Sequence, residues 1–157
     1  MTVRRATADD AAALHALILD LNRDQGDPTD LLTAEHVARD LIANPATIVV
    51  VAEAPNGALI GYATAHPTYE TGYAEHGLYV GDLYVAPAHR RQGTARALLA
   101  ALARTGHARG ARHLWLTAKR DNTAAHAFYR RLGSHGEAVI AFAVVEQDFR
   151  NLAAEAP

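Results

Sequence analysis

Apolar residues recur along this chain at two different spacings, and the switches between them mark out helices and strands. Leu14, Leu17, Ile18 and Leu21 share one stripe behind Thr7, a residue suited to cap a helix start. Thr2 to Arg5, just ahead, reads as a short first strand. The helix breaks at Asp24-Gln-Gly-Asp-Pro-Thr-Asp30, where Gly and Pro impose a loop. Ala34, Val37, Ala38 and Leu41 mark a second helix from Thr33, ending before Asn44-Pro45 because the residue ahead of Pro disfavours helical backbone. Thr47 to Ala54 and Ala58 to His66 are β-like runs on either side of Pro55-Asn-Gly57, and together predict an antiparallel hairpin.

Pro67 to Gly77 holds two Gly, two Tyr, Glu70 and Glu75, and reads as a loop. Leu78 to Val85 is then a strand, and Ala95, Leu98, Leu99 and Leu102 lie on a helix stopped by Gly110. His113 to Ala118 is predicted as a buried strand. Asp121-Asn122 opens a helix with the stripe Ala125, Phe128 and Leu132, ended by Gly133. Val139 to Val145 reads as a last strand, with an optional one around Ser134 to Ala138, before a short helix ending near Ala154. The order βααβββαβαβ predicts an α/β (α+β) protein: a mixed central sheet with helices on both faces, in a single domain over residues 1–157.

Composition narrows the chemistry. Half of the 157 residues are hydrophobic and 20% are charged, as in a globular protein. The net charge is −2, with fourteen Arg and a single Lys, Lys119, scattered among seventeen acids, so no nucleic-acid partner is expected. Absence of Cys excludes thiolate metal sites and a cysteine nucleophile. Nine His show no metal-ligand spacing, so no metal is expected. The N-terminal residues lack the apolar core of a signal peptide and no apolar run reaches membrane-spanning length, so the expectation is a cytoplasmic protein without a membrane partner.

The most informative stretch is Val85-Ala-Pro-Ala-His-Arg-Arg-Gln-Gly-Thr-Ala95, where a strand runs through an Arg/Gly turn into a helix. The first amides of a helix have no acceptor in the helix and carry the positive end of its dipole, so they can hold a diphosphate where side chains are small. Gly93 and Ala95 leave that room. Neither Gly-x-x-x-x-Gly-Lys-Ser/Thr nor Gly-x-Gly-x-x-Gly after a strand is present, which lowers the rank of nucleoside triphosphates and dinucleotides. Read as Arg90-x-x-Gly93-x-Ala95, the turn resembles the acyl-CoA diphosphate loop of the GCN5-related N-acetyltransferase (GNAT) superfamily. Asp121-Asn-Thr-Ala-Ala-His-Ala-Phe-Tyr-Arg-Arg-Leu-Gly133 resembles that superfamily's Asn-x-x-x-x-x-Phe-Tyr-x-x-x-Gly segment, in the right order. The element order also resembles the GNAT acyl-CoA N-acyltransferase fold over almost the whole chain.

That resemblance implies acetyl-CoA as acyl donor. Arg90, Arg91, Gln92, Gly93, Thr94, Ala95 and Arg96 would hold the diphosphate, and Asn122 the pantetheine arm, a helix cap being the other reading of Asn122. Tyr129 shares a helix face with Asn122, would lie near the thioester sulfur and would protonate the departing thiolate; an amphipathic aromatic at a core edge is its alternative role. Leu83 and Val85 match positions where splayed strand amides meet the pantetheine and the acyl carbonyl.

An alkyl amine is protonated at neutral pH, and deprotonating it costs roughly 4 to 5 kcal/mol, so a base or water relay is needed. Asp82 on the strand, and Glu75 and His76 ahead of it, are candidates. Gly81-Asp-Leu-Tyr-Val85 is similar to the acidic strand of diamine and polyamine acetyltransferases, with Gly81 where those commonly carry Glu. Asp24, Asp27, Asp30, Glu70 and Glu75 favour a cationic small-molecule amine acceptor. The Pro67 to Gly77 loop, folded over the site, would close it to a peptide. A protein N-terminal or lysine acetyltransferase, and a non-catalytic acyl-CoA-binding regulatory module, are the alternatives. The resemblance also implies a homodimer paired through Val139 to Val145, burial within a monomer being the other explanation of that run.

Overall fold

Strand β2 (Ile48–Glu53) is buried at five consecutive residues, Ile48 to Ala52, which requires cover on both faces of its sheet. The computed structural model describes residues 1–155 and resolves two compact units, one spanning Met1–Thr117 and one starting at Ala118. The first unit holds a five-stranded sheet in sequential order: β1 (Thr2–Arg5), β2, β3 (Leu59–Glu70), β4 (Glu75–Val85) and β5 (His113–Leu116). The first four strands are antiparallel and β5 runs parallel to β4. The fold is thus the mixed sheet expected, with helices on both faces.

Alternation along β2 assigns the two faces. Val49 and Val51, with Tyr62 and Tyr84, form a core with Leu14, Leu17 and Ile18 of α1 (Ala11–Gln25) and with Val37. Ile48, Val50 and Ala52 point the other way, toward α3 (Thr94–His107), whose Leu98, Leu99 and Leu102 are buried. The predicted second helix begins as one turn, α2 (Ala34–His36), capped by the Thr33 hydroxyl accepting from the His36 amide. It continues as a π-helical stretch over Val37–Ile42. That wider winding packs both Leu41 and Ile42 against the core, where a regular stripe predicts Leu41 alone.

Several expectations are corrected. Pro67 to Gly77 is not a loop: β3 runs on to Glu70 and β4 starts at Glu75, leaving only residues 71–74 as a turn. Pro67 is tolerated because it lies beyond Ala65, the partner of Ile48 at the start of β2, where that edge of β3 has no neighbouring strand. β5 is not buried; it is an edge strand, with Trp115 48% exposed. In the second unit, described by itself, α4 (Thr123–Arg131) and α5 (Glu146–Ala154) form, but Ser134 to Ala138 and Val139 to Val145 form no strand. A β-forming run needs another strand to take its backbone hydrogen bonds, and residues 118–155 contain none. Ile140 and Phe142 are accordingly 80% and 90% exposed. Among the described residues no helix is long and apolar enough to cross a membrane.

An ion-pair clamp fixes the entry to α1. Arg4 Nη1 and Nη2 donate to the two carboxylate oxygens of Asp10 at 2.7 and 2.9 Å, and its Nε donates to Glu53 at 2.8 Å. The Thr7 amide also donates to Asp10, at 2.7 Å. The Arg4 guanidinium first of all, against the cost of burial, holds the Asp10 carboxyl down at about 2. A carboxyl depressed in the folded state contributes stability that is complete above its unfolded value near 4 and is lost as pH falls through the folded one. Asp10→Asn is therefore expected to lower unfolding free energy by about 2 kcal/mol at neutral pH. In urea melts the gap from the parent protein should close between pH 4 and 2; a gap independent of pH would refute the assignment.

Candidate active site

The turn after β4 has the free helix-start amides that an anion would need. Val85 leads through a short 3₁₀ turn, Pro87–His89, into the start of α3. Arg91 and Gly93 both take left-handed backbone, with φ of 62° and 84°. At the first such turn a polar side chain is tolerated; at the second, Gly93 also keeps the space over the helix end open, for nothing lies within 4 Å of a Cβ built there. Gly93's carbonyl accepts the first helical bond, from Ala97. The amides from Gln92 to Arg96 have no acceptor among the described residues. Thr94 is buried and leans back on His89, its hydroxyl 3.4 Å from that carbonyl, and Ala95 adds no bulk.

Side chains of the turn divide into braces and free cations. Arg90 donates through Nε to the Val85 carbonyl at 2.8 Å, pairs with Asp24 of α1 at 3.0 Å, and lies over the Tyr84 ring. Its guanidinium holds the loop to the strand and to α1. Gln92 likewise bonds the Ala88 carbonyl. Arg91 and Arg96 are exposed and make no ion pair among the described residues.

β4 opens beside the socket. Its ladder with β5 covers only Gly77 to Val80, whereas Asp82 to Val85 pair with β3 alone. The Ala86 amide bonds Ile60 and the Asp82 amide bonds Thr64, so both point toward β3. The alternating residues Leu83 and Val85 therefore turn their peptide groups to the open edge, as the Val85 carbonyl's bond to Arg90 shows. A bulge at Gly81 separates Val80, paired with Ala65, from Asp82, paired with Thr64.

Asp82 sits on the sheet face opposite Leu83 and Val85. Its carboxylate accepts from the Thr64 hydroxyl at 3.0 Å, and that hydroxyl accepts from the Asp82 amide. Burial pushes the carboxyl above its usual range, opposed by the Thr64 bond and the nearby His66. Burial, then the Asp82 charge, also keeps the Tyr62 hydroxyl protonated. Glu75 starts β4, 3.9 Å from His113 Nδ1, and is some 20 Å along the strand from Asp82 at the usual rise per residue. His76 packs its ring on Tyr69. Glu75, His76 and Asp82 are thus not brought together. Thr64 and His66 were not evident from sequence, since the β3–β4 register that places them beside Asp82 depends on the bulge.

The second unit presents the other motif. Asn122 caps α4, its Oδ1 accepting from the Ala125 amide at 3.1 Å, which leaves its side-chain amide hydrogens without an acceptor among the described residues. Tyr129 lies two turns further along and its hydroxyl is pushed up by burial. Its ring is 5.2 Å from that of Phe128, and both are half-buried. Gly133, at φ 86°, ends the helix.

Comparison with known proteins identifies the family. Residues 13–134 match the acetyltransferase (GNAT) family. An aminoglycoside N(6')-acetyltransferase type 1 of Stenotrophomonas maltophilia is 33% identical over 84% of this chain and 84% of its own length. An uncharacterised N-acetyltransferase of Bacillus subtilis (strain 168) is 29% identical over 85% of this chain and 89% of its own. The crystal structure of an aminoglycoside acetyltransferase from an uncultured soil metagenomic sample superposes with a TM-score of 0.78 at 26% identity, covering 92% of this chain and 98% of that one. With helix-start amides beside an opened strand edge, and relatives of this kind along most of its length, the chain belongs to the GNAT acetyltransferase family and is an acetyl-CoA-dependent N-acetyltransferase.

Proposed function

We propose that this enzyme acetylates a primary amine of a small, cationic, polar molecule by direct attack on acetyl-CoA. The single observation that carries the reading is Asp82: a desolvated carboxylate held by Thr64 on the strand whose neighbouring peptide groups face an open edge. The amines at the start of that reaction need a proton acceptor, and a carboxyl raised by burial is a stronger base than an exposed one. Asp82, directly or through a water, takes the proton. The amine nitrogen attacks the thioester carbonyl, the Leu83 and Val85 backbone supports the oxyanion and the arm, and the C–S bond breaks as the amide forms. Amides from Gln92 to Arg96, with Arg91 and Arg96, hold the diphosphate; Arg90 braces that loop; Asn122 donates to the arm; Tyr129 protonates the leaving thiolate. Glu75 is too far along β4 to act as base and is assigned to the acceptor surface. The aminoglycoside acetyltransferases among the relatives favour an amino sugar as acceptor.

Thiol release from acetyl-CoA, measured against amino sugars, linear diamines and peptides, tests the assignment. Turnover confined to peptide N-termini or lysines would make a protein acetyltransferase the better reading, and coenzyme A binding without thiol release a regulatory module. Asp82→Asn is expected to lower kcat by at least about 10-fold and to abolish the acid limb of the pH profile. The base form of Asp82 is required, so wild-type activity falls as pH drops through its raised pKa. Thr64→Val removes the bond that lowers it, and should move that limb to higher pH. The exposed residues 139–145 favour a homodimer in which a second copy covers them; sedimentation showing only monomers at micromolar concentration would exclude it.

A further inference from the structure

Directly beside Asp82, on the same face of the sheet, lies a surface that no step of the reaction uses. Tyr79 pairs in register with His66 on one side and Trp115 on the other, so the three form a row straight across β3, β4 and β5. The bulge at Gly81 brings this row to the same face as the Thr64–Asp82 pair, two residues further along β3 and so about 7 Å away. The Tyr79 and Trp115 rings lie 5.7 Å apart and inclined by 36°, making a shallow floor rather than a packed edge. Tyr79 is fixed by a bond of its hydroxyl to the Thr117 hydroxyl at 3.3 Å. A tryptophan left 48% exposed on an edge strand costs solubility without adding to the core.

We propose that Trp115 and Tyr79 form the acceptor's stacking platform and select amines borne on a polyhydroxylated ring over linear amines. This rests on the assignment of Asp82 as the base for the reacting amine. The C–H face of a saturated sugar ring packs on an aromatic face, and a nearby ammonium is further attracted by the ring electrons. An amine carried one methylene outside such a ring reaches the neighbouring row, where Asp82 stands. His66 at the end of the aromatic row supplies a polar group for ring hydroxyls. Further out on the same face, Glu70 and Glu75 pair across the hairpin and place negative charge where other ammonium groups of a polycationic acceptor would lie. A linear diamine satisfies the carboxylates but leaves the aromatic floor uncovered.

Trp115 is the sole tryptophan of the chain, so its emission reports this platform alone. Titration of the wild-type enzyme with 6-amino-6-deoxyglucose is expected to change that emission saturably, and 1,4-diaminobutane at equal concentration to change it little. Trp115→Ala should raise KM for the amino sugar about 10-fold or more, with kcat, KM for acetyl-CoA and the diamine's kcat/KM each within about 2-fold, and Trp115→Phe should recover most of the loss. Tyr79→Leu should act in the same direction. Equal losses for both acceptors, or unchanged emission and KM with the sugar, would overturn the platform. Saturable emission changes without thiol release from any amine would keep the platform and defeat the acetylation of such amines instead.

Discussion

Gly93→Asp is expected to weaken coenzyme A binding about 1,000-fold in calorimetry, and Gly93→Ala by about 10-fold. The two variants share one cost. Gly93 has φ 84°, a conformation that disfavours an L side chain by roughly 1 to 2 kcal/mol, so either substitution pulls the turn away from the shape that presents the amides after it. Neither meets a steric obstacle, because the space beyond the glycine is open. Aspartate adds a second effect. At the residue preceding α3 its carboxylate can accept from the Ala95 or Arg96 amide, filling from within the socket that the diphosphate would use. It also sets a negative charge beside the phosphates, where repulsion at about 5 Å and an effective dielectric near 20 is about 3 kcal/mol. Because aspartate is a good helix cap, the Asp variant should keep its thermal midpoint close to that of the Ala variant. Equal affinities of the Asp and Ala variants for coenzyme A would show that the diphosphate lies elsewhere.

The elements were legible where a single local signal sufficed. The stripe of Leu14, Leu17, Ile18 and Leu21 reads as a helix and the Val- and Ile-rich run from Thr47 to Ala54 as a strand, and both form. The socket was legible for the same reason, since a glycine after two arginines at a strand-to-helix turn is a local backbone device. What depends on neighbours was not. The Pro67 to Gly77 segment reads as a loop by composition, yet it pairs as a hairpin because cross-strand bonds outweigh weak β propensity where one edge is free of Pro's restriction. Val139 to Val145 reads as a strand by propensity and forms none, for the opposite reason: its own unit offers no partner. Within the site, Arg90 looked like a phosphate ligand and is found bonded to Val85 and Asp24, a partner sixty-six residues away in sequence. Thr64 and His66 join Asp82's surroundings, and Trp115 comes to the same sheet face, only through register, which the bulge at Gly81 shifts by one residue.

Replacing Tyr129 by phenylalanine is expected to lower kcat about 100-fold for every amine acceptor while KM for acetyl-CoA changes by less than about 3-fold. The thiol of coenzyme A has an ordinary pKa near 8.5, so its thiolate can leave unaided, and the loss belongs at the lower end of what a general acid supplies. Burial pushes the Tyr129 hydroxyl up, so the phenol stays protonated to higher pH than an ordinary tyrosine while Asp82 is ionised. The wild-type rate should therefore decline only as pH rises through that elevated pKa, and the Phe variant should lack this alkaline limb. A thioester with a more acidic thiol needs less help in leaving, so with such a donor the gap between the wild type and Tyr129→Phe should narrow. A packing role for the ring alone, beside Phe128, predicts a different pattern: full turnover in the Phe variant, which retains the ring, and no dependence on the leaving thiol. Full turnover across acceptors and pH would remove Tyr129 from the chemistry while leaving the socket and Asp82 in place.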